Sequence, residues 1–267
     1  MSDFPQLSEA NAALAAVLSG HAGAETLLAA AHALVPATAG FIVANPPDAA
    51  PVWLADSYAG AEAKAAVQRY IGGTYLVNPI WNAIRDGLQP GIYRMADLAP
   101  DNWDIWHANA SVLLADDEEI GFRTPGWPEG LAEISLLTGL PGGATGEISL
   151  ARPVAEGGFP DGMETVLRAF LPLFDLALAA LWARQGNPGR TGHLRRLEDF
   201  GRDRLSPREA EILRMVLKGH SNLSISLTLG ITIPTVKTHR QKGYAKLGIA
   251  TQQELFHSFL LWAEAAD

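Results

Sequence analysis

Lys237, Thr238, Gln241 and Lys242 follow one another closely near the end of a chain of 267 residues. If that stretch is helical, 100° per residue gathers Pro234, Thr238, Gln241 and Ala245 on one side, flanked by Lys237 and Lys242. Ammonium groups bordering a strip of hydroxyl and carboxamide suit a duplex. Lysines neutralise phosphates, while Thr and Gln side chains reach base edges. Lys246, Lys218 and Arg208 are further phosphate candidates. The opposite side would carry Val236, His239, Arg240, Gly243 and Leu247, which gives His239 and Arg240 a structural part.

The preceding residues supply what such a helix needs for positioning. Leu205-Ser206-Pro207-Arg208-Glu209 is a helix start: Ser206 and Glu209 are spaced for a capping box, and Pro207 takes the first helical position. Ile212, Leu213, Val216 and Leu217 then make one apolar face, and Gly219 stops it. A short helix over Asn222–Leu229 is expected behind Ser221 as cap, broken by Gly230. Thr232 caps the basic helix. Helix, short helix, glycine turn and basic helix is the grammar of a helix-turn-helix.

Leu205-Ser-Pro-Arg-Glu, Gly219-His-Ser-Asn, Leu229-Gly-Ile-Thr and Thr235-Val-Lys-Thr-His-Arg through Lys246-Leu-Gly-Ile249 resemble the LuxR-type DNA-binding domain, over about residues 203–265. The resemblance implies that the helix from Ile233 to Leu247 lies in the major groove. It also implies that a later helix, Gln252 to Ala263, helps pair two protomers. The chain departs from that family at Leu223-Ser224, usually a charged pair, at Gly243, usually aliphatic, and at Ala245, usually basic. A mid-helix glycine costs about 0.5–1 kcal/mol against alanine, and losing a cation at 245 removes one phosphate contact.

The formal charge of −9 hides a division. From Arg190 onward 12 Lys and Arg face 8 Asp and Glu, a balance of +4, whereas residues 1–189 carry −13. A basic reader joined to an acidic body fits that asymmetry. Hydrophobic content of 48% and 18% charged residues exclude a mainly disordered chain. With no cysteine, disulfides, thiol catalysis and thiolate metal sites are excluded. No secretory signal opens the chain, and the most apolar stretch, Val166–Trp182, is broken by Arg168, Pro172 and Asp175. The expectation is a cytoplasmic protein outside the membrane.

Residues 1–184 are expected to form an α+β sensor and dimerisation domain, with helices around a small antiparallel sheet in a PAS- or GAF-like layout. Residues 185–203 would be a linker, and 204–267 an all-α helix-turn-helix domain. Helices are expected at 8–19, 24–34, 60–71, 77–86 and 159–184, with a further one from Asp101 to Leu114. Strands are expected at Phe41–Ala44, Val52–Ala55 and Gly91–Met95, and a hairpin of Leu131–Thr138 with Glu147–Ala151 around Pro141-Gly-Gly. No internal repeat is visible. The helix 159–184 is too apolar for a single face, so part of it is offered to a second protomer.

Aromatics concentrate at Trp53, Tyr70, Tyr75, Trp81, Tyr93, Trp103 and Trp106. With Asn78 and Asp97 they are the candidates for lining a small-molecule pocket. Tyr75-Leu-Val-Asn78-Pro79 is loosely similar to the Tyr-x-x-Asp-Pro segment of autoinducer-binding domains, which implies an acyl-homoserine lactone-like ligand. Equally, Asn78 could simply cap a helix. Asp97, Asp101 and Asp104 among Tyr93, Trp103 and Trp106 suit an amine instead. No phosphate loop, nucleophile elbow or receiver-type acidic pair is present, and neither a cofactor nor a metal is called for. The expected function is a ligand-responsive regulator that binds double-stranded DNA as a homodimer. The alternative is a constitutive or protein-partner-controlled regulator whose first domain only dimerises.

Overall fold

The structure, a computed structural model, describes residues 4–98, 130–185 and 197–264. Trp103, Trp106 and the helix expected from Asp101 to Leu114 lie outside the described residues, as does most of the expected linker. The chain divides into two compact units. One holds residues 1–67, 83–97 and 128–194, and the other holds 68–82, 98–127 and 195–267. Residues 68–82 thus group with the C-terminal helices.

In the first unit α1 (Phe4–Leu18), α2 (Ala24–Leu34) and α6 (Met163–Arg184) cover one face of a five-stranded antiparallel sheet. The strands are β1 (Ala39–Asn45), β2 (Val52–Asp56), β3 (Gly91–Arg94), β4 (Leu131–Gly139) and β5 (Thr145–Pro153), in the order β2-β1-β5-β4-β3. Alternation along each strand separates two faces. Ile42, Ala44, Ile134, Leu136, Ile148 and Leu150 join Leu14, Leu27, Leu28, Phe174 and Leu178 in one apolar core. Each large side chain so buried contributes about 1.5–3 kcal/mol.

Two glycines permit close approach, one to the helix over the sheet and one to the neighbouring strand. A Cβ on Gly146 would stand 2.5 Å from Leu178 Cδ2, and one on Gly40 would stand 2.6 Å from the Ser149 carbonyl. The expected hairpin forms with Gly142 and Gly143 at φ 81° and 77° in its turn. Helix α6 begins four residues later than expected, behind Gly162 at φ 83°. It is the one described helix long and apolar enough to cross a membrane. Its Phe174, Ala177, Leu178 and Trp182 are buried in the sheet core, Asp175 accepts from the Gly139 amide at 3.1 Å, and Trp182 donates to the Pro141 carbonyl.

The second unit contains α7 (Pro207–Leu217), α8 (Asn222–Leu229), α9 (Ile233–Leu247) and α10 (Gln252–Glu264). The caps form as their spacing demands. Ser206 and Glu209 make both bonds of the capping box, Ser221 accepts from Ser224 N, and Thr232 accepts from Thr235 N. Gly230 and Gly248 close α8 and α9 in the left-handed conformation. Ile212, Leu213, Val216, Ile225, Val236, Leu255, Phe256 and Phe259 form the core. The glycine at 243 also has a packing reason: a Cβ there would meet Leu213 Cδ1 at 2.8 Å. A larger side chain there would require Leu213 to shift.

The remaining helices are α3 (Ala61–Gly72), α4 (Pro79–Arg85) and the single turn α5 (Met95–Leu98). Within the second unit a Cβ on Gly73 would stand 2.4 Å from that of Ala263, so the turn after α3 lies hard against α10.

Candidate functional site

Helix α9 presents Pro234, Thr238, Gln241, Lys242 and Ala245 to solvent, with Lys237 half-buried at their edge. That is the face the helical spacing anticipated. Thr238 donates its hydroxyl to the Pro234 carbonyl at 2.9 Å, which leaves the oxygen's acceptor side outward. Lys237, Gln241 and Ala245 also border a shallow groove that Ile249 and Ala250 complete. No carboxylate lines it.

The inner side of the same helix is locked by Arg240, 6% exposed. Its guanidinium donates to Asn222 Oδ1 at 2.7 Å, to Tyr244 Oη at 3.2 Å and to Gln252 Oε1 at 3.4 Å. It thereby ties α9 to α8 and α10. Arg240 is structural as expected, but its partners were not foreseen.

The secondary phosphate candidates are mostly occupied. Lys246 Nζ lies 2.6 Å from Glu209 Oε2, linking the end of α9 to the capping box. The Lys246 ammonium, then the Ser206 amide, hold the Glu209 carboxyl down at about 2. Arg208 pairs with Glu211 at 2.7 Å and donates to the Leu229 carbonyl at 3.3 Å. Lys218 stands half-buried at the C-cap of α7.

The described aromatic candidates fall in both units. In the second unit Tyr70, Tyr75 and Trp81 are buried edge to face, at 6.3 and 5.1 Å between successive ring centroids. Asn78 Oδ1 there accepts from the amides of Ile80 and Trp81 at 2.9 and 3.1 Å. It is the cap of α4, the second of the two readings of that residue. In the first unit Trp53 stacks on Phe41 at 5.0 Å and donates to Asp56. Tyr93 donates to the Gln89 carbonyl, and Asp97 is exposed.

What sequence reasoning missed is the second face of the sheet. Register sets Ser135 opposite Ser149, Leu137 opposite Glu147, and Phe41 and Val43 opposite Ser149 and Glu147. Glu133 and Glu147, 8% and 1% exposed, therefore share a face with both serines. Ser149 donates to Glu133, Ser135 donates to Glu147 at 3.3 Å, and Asn45 Nδ2 donates to Glu147 at 3.3 Å. Burial pushes the Glu133 carboxyl well above the usual carboxylate range and that of Glu147 to about 7. Burial, then the charges of Glu133, Asp56 and Glu147, push the Tyr58 phenol up. The signal was in the letters: Glu-Ile-Ser-Leu occurs at 133–136 and again at 147–150.

A capped trihelical reader with an outward polar strip and flanking lysines defines a helix-turn-helix regulator. Residues 203–259 match the family of bacterial regulatory proteins, luxR family, and form a LuxR-type DNA-binding domain. The chain is 25% identical over 195 residues to the HTH-type transcriptional regulator named for the exeN 3′ region of Aeromonas salmonicida, covering 68% of this chain and 93% of that one. It is 51% identical over 51 residues to the transcriptional regulatory protein MctR of Rhizobium johnstonii, 19% of this chain and 24% of that one. Among solved structures, Escherichia coli SdiA aligns at a TM-score of 0.39 and 19% identity, over 97% of this chain and 98% of its own. Both of these curated relatives are transcriptional regulators by name.

Proposed function

We propose that this protein is a ligand-responsive transcriptional regulator that binds duplex DNA as a homodimer in the cytoplasm. The observation that carries it is the exposed strip Thr238–Gln241 between Lys237 and Lys242, on a helix whose back is clamped by Arg240. Lys237 and Lys242 would neutralise phosphates, and Thr238 and Gln241 would read base edges. Lys218 and Arg208 would be outer phosphate contacts. Residues 204–267 serve as the reader and 1–184 as the sensor.

Two features support pairing. Val166, Leu173 and Leu176 leave an exposed apolar stripe on α6, and Leu261 is exposed on α10. Two half-sites about one turn of duplex apart would multiply the reach of one reading helix. A small organic molecule on the first domain would favour one arrangement of the protomers over another, because only a differential affinity shifts an equilibrium.

The test is selection of binding sites from a random duplex library with the full chain, followed by anisotropy titrations at several salt concentrations. Enrichment of a two-fold symmetric site, with affinity falling steeply as salt rises, is the expected result. Absence of duplex binding at low salt overturns the reading.

A further inference from the structure

We infer that Thr238 selects thymine, and does so with its methyl group against the thymine C5 methyl rather than with its hydroxyl. The inference rests on the duplex-binding reading above and names the base edge that the exposed strip of α9 prefers.

The strip is poorer in hydrogen-bond donors than its residue types suggest. Thr238 spends its hydroxyl proton on the carbonyl of Pro234, four residues back along the helix, at 2.9 Å. That leaves no hydrogen for guanine N7 or O6, or for thymine O4. What Thr238 offers a base is its methyl group and the lone pairs of its oxygen. Pro234 and Ala245, exposed on the same strip, carry no polar side-chain atom. Gln241 is therefore the one side chain of the four with a donor to give.

The charges near the strip are engaged elsewhere or lie to its side. Guanine is best met by the paired donors of an arginine or a lysine. Arg240, the one arginine of α9, is 6% exposed and gives its donors to Asn222, Tyr244 and Gln252. Lys237 is half-buried and borders the shallow groove beside the strip, where it suits a phosphate. The centre of the strip is left with methyl groups and one carboxamide. In the major groove, thymine is the base that presents a methyl group, and adenine is the natural partner of a glutamine. Gln241 follows Thr238 by three residues, about 4.5 Å along the axis, a little more than one base step of about 3.4 Å. The selected thymine should thus lie next to the base pair that Gln241 reads.

The experiment uses the full chain and a duplex selected by it from a random library. Each thymine of that duplex is replaced in turn by deoxyuridine, which lacks only the C5 methyl, and affinity is measured by anisotropy at fixed salt. The wild type is compared with Thr238→Val, which keeps the methyl and loses the hydroxyl, and Thr238→Ser, which does the reverse. Thermal melts check that both variants fold. The expected result is a loss of about fourfold for each contacted methyl removed, beside the position whose preference Gln241→Ala abolishes. That loss should persist in Thr238→Val and vanish in Thr238→Ser. Tight binding by the wild type with no deoxyuridine effect overturns the inference and leaves duplex binding standing. A deoxyuridine effect of equal size in Thr238→Ser assigns it to the duplex itself and overturns the part given to Thr238. Site preference kept by Thr238→Ser and lost by Thr238→Val makes the hydroxyl the reader and overturns it as well. Failure of the wild type to bind any duplex at low salt removes the underlying reading instead.

Discussion

The two units treat buried charge in opposite ways. In the reader, Arg240 is buried among three oxygen acceptors, and Glu209 is held by an ammonium and the Ser206 amide. On the sheet, Glu133 and Glu147 are buried as deeply but among the described residues are answered by neutral groups. The first arrangement is completed by the chain itself, which suits a rigid surface that must meet a rigid duplex. The second has no charged partner among the described residues, and burial drives its carboxyls toward the neutral form. A buried ion pair is weak evidence of stability, because desolvation offsets its attraction, but a buried carboxyl with no cation is a standing cost.

The strongest way to break the contrast is to remove the reader's own cation. Arg240→Ala leaves Asn222, Tyr244 and Gln252 turned toward an empty space and is expected to cost the C-terminal domain about 3–5 kcal/mol. Urea unfolding followed by circular dichroism measures it. A cost under about 1 kcal/mol would mean that the network is not what holds α9 in place.

The sheet's contrasting behaviour is tested by pH. The Glu147 carboxyl titrates near 7 when folded and near 4.5 when unfolded, so the unfolded chain gives up its proton first. Stability of the first domain is therefore expected to fall as pH rises from about 4.5 through 7, with the raised Glu133 carboxyl adding to the fall. Glu147→Gln should lessen that fall, leaving the part due to Glu133, and stabilise the protein by about 2–3 kcal/mol at pH 8. Glu209 has the opposite sign: held down at about 2, it stabilises above pH 4.5, and that contribution is lost as pH falls toward 2. Melting curves between pH 3 and 8 separate the two, because one slope lies on each side of pH 4.5.

How far each unit was legible in the sequence follows from the range of its contacts. The caps at Ser206, Ser221 and Thr232 were readable because each is settled within three residues. The exposed face of α9 was readable because helical spacing alone decides it. The partners of Arg240 were not, since Asn222 and Gln252 lie on other helices and only packing brings them in. Asn78 carried two readings, and the bonds to Ile80 and Trp81 settle its oxygen as a cap. The glycine at 243 looked like a weakness until Leu213 was seen beneath it. The carboxyl pair was hidden for a different reason. Its repeated Glu-Ile-Ser-Leu is plain in the letters, but only the register Ser135 to Ser149 buries both glutamates on one face. A slip of one residue in either strand would have sent its glutamate to the other face.

Within the reader, Gln241→Ala sharpens the division between reading and holding. It should cost about 1–3 kcal/mol at one base position of the selected site and little elsewhere. Ser206→Ala, which removes half of the capping box, should lower stability by about 1 kcal/mol without altering sequence preference.

The smallest effect distinguishes the lysines from one another. Lys237 borders the exposed strip, whereas the Lys246 ammonium is drawn 2.6 Å from Glu209. Lys237→Ala is expected to weaken binding evenly across sequences and to reduce the slope of log affinity against log salt by about 1. Lys246→Ala should leave that slope unchanged and instead raise the Glu209 carboxyl, so its loss is felt as reduced stability above pH 4.5, a difference that shrinks as pH falls toward 2. Anisotropy at a series of salt concentrations, run on both variants, compares them directly. If Lys246→Ala also flattened the slope, its ammonium would have to leave Glu209 for a phosphate on binding, and the reader would not be wholly finished by folding.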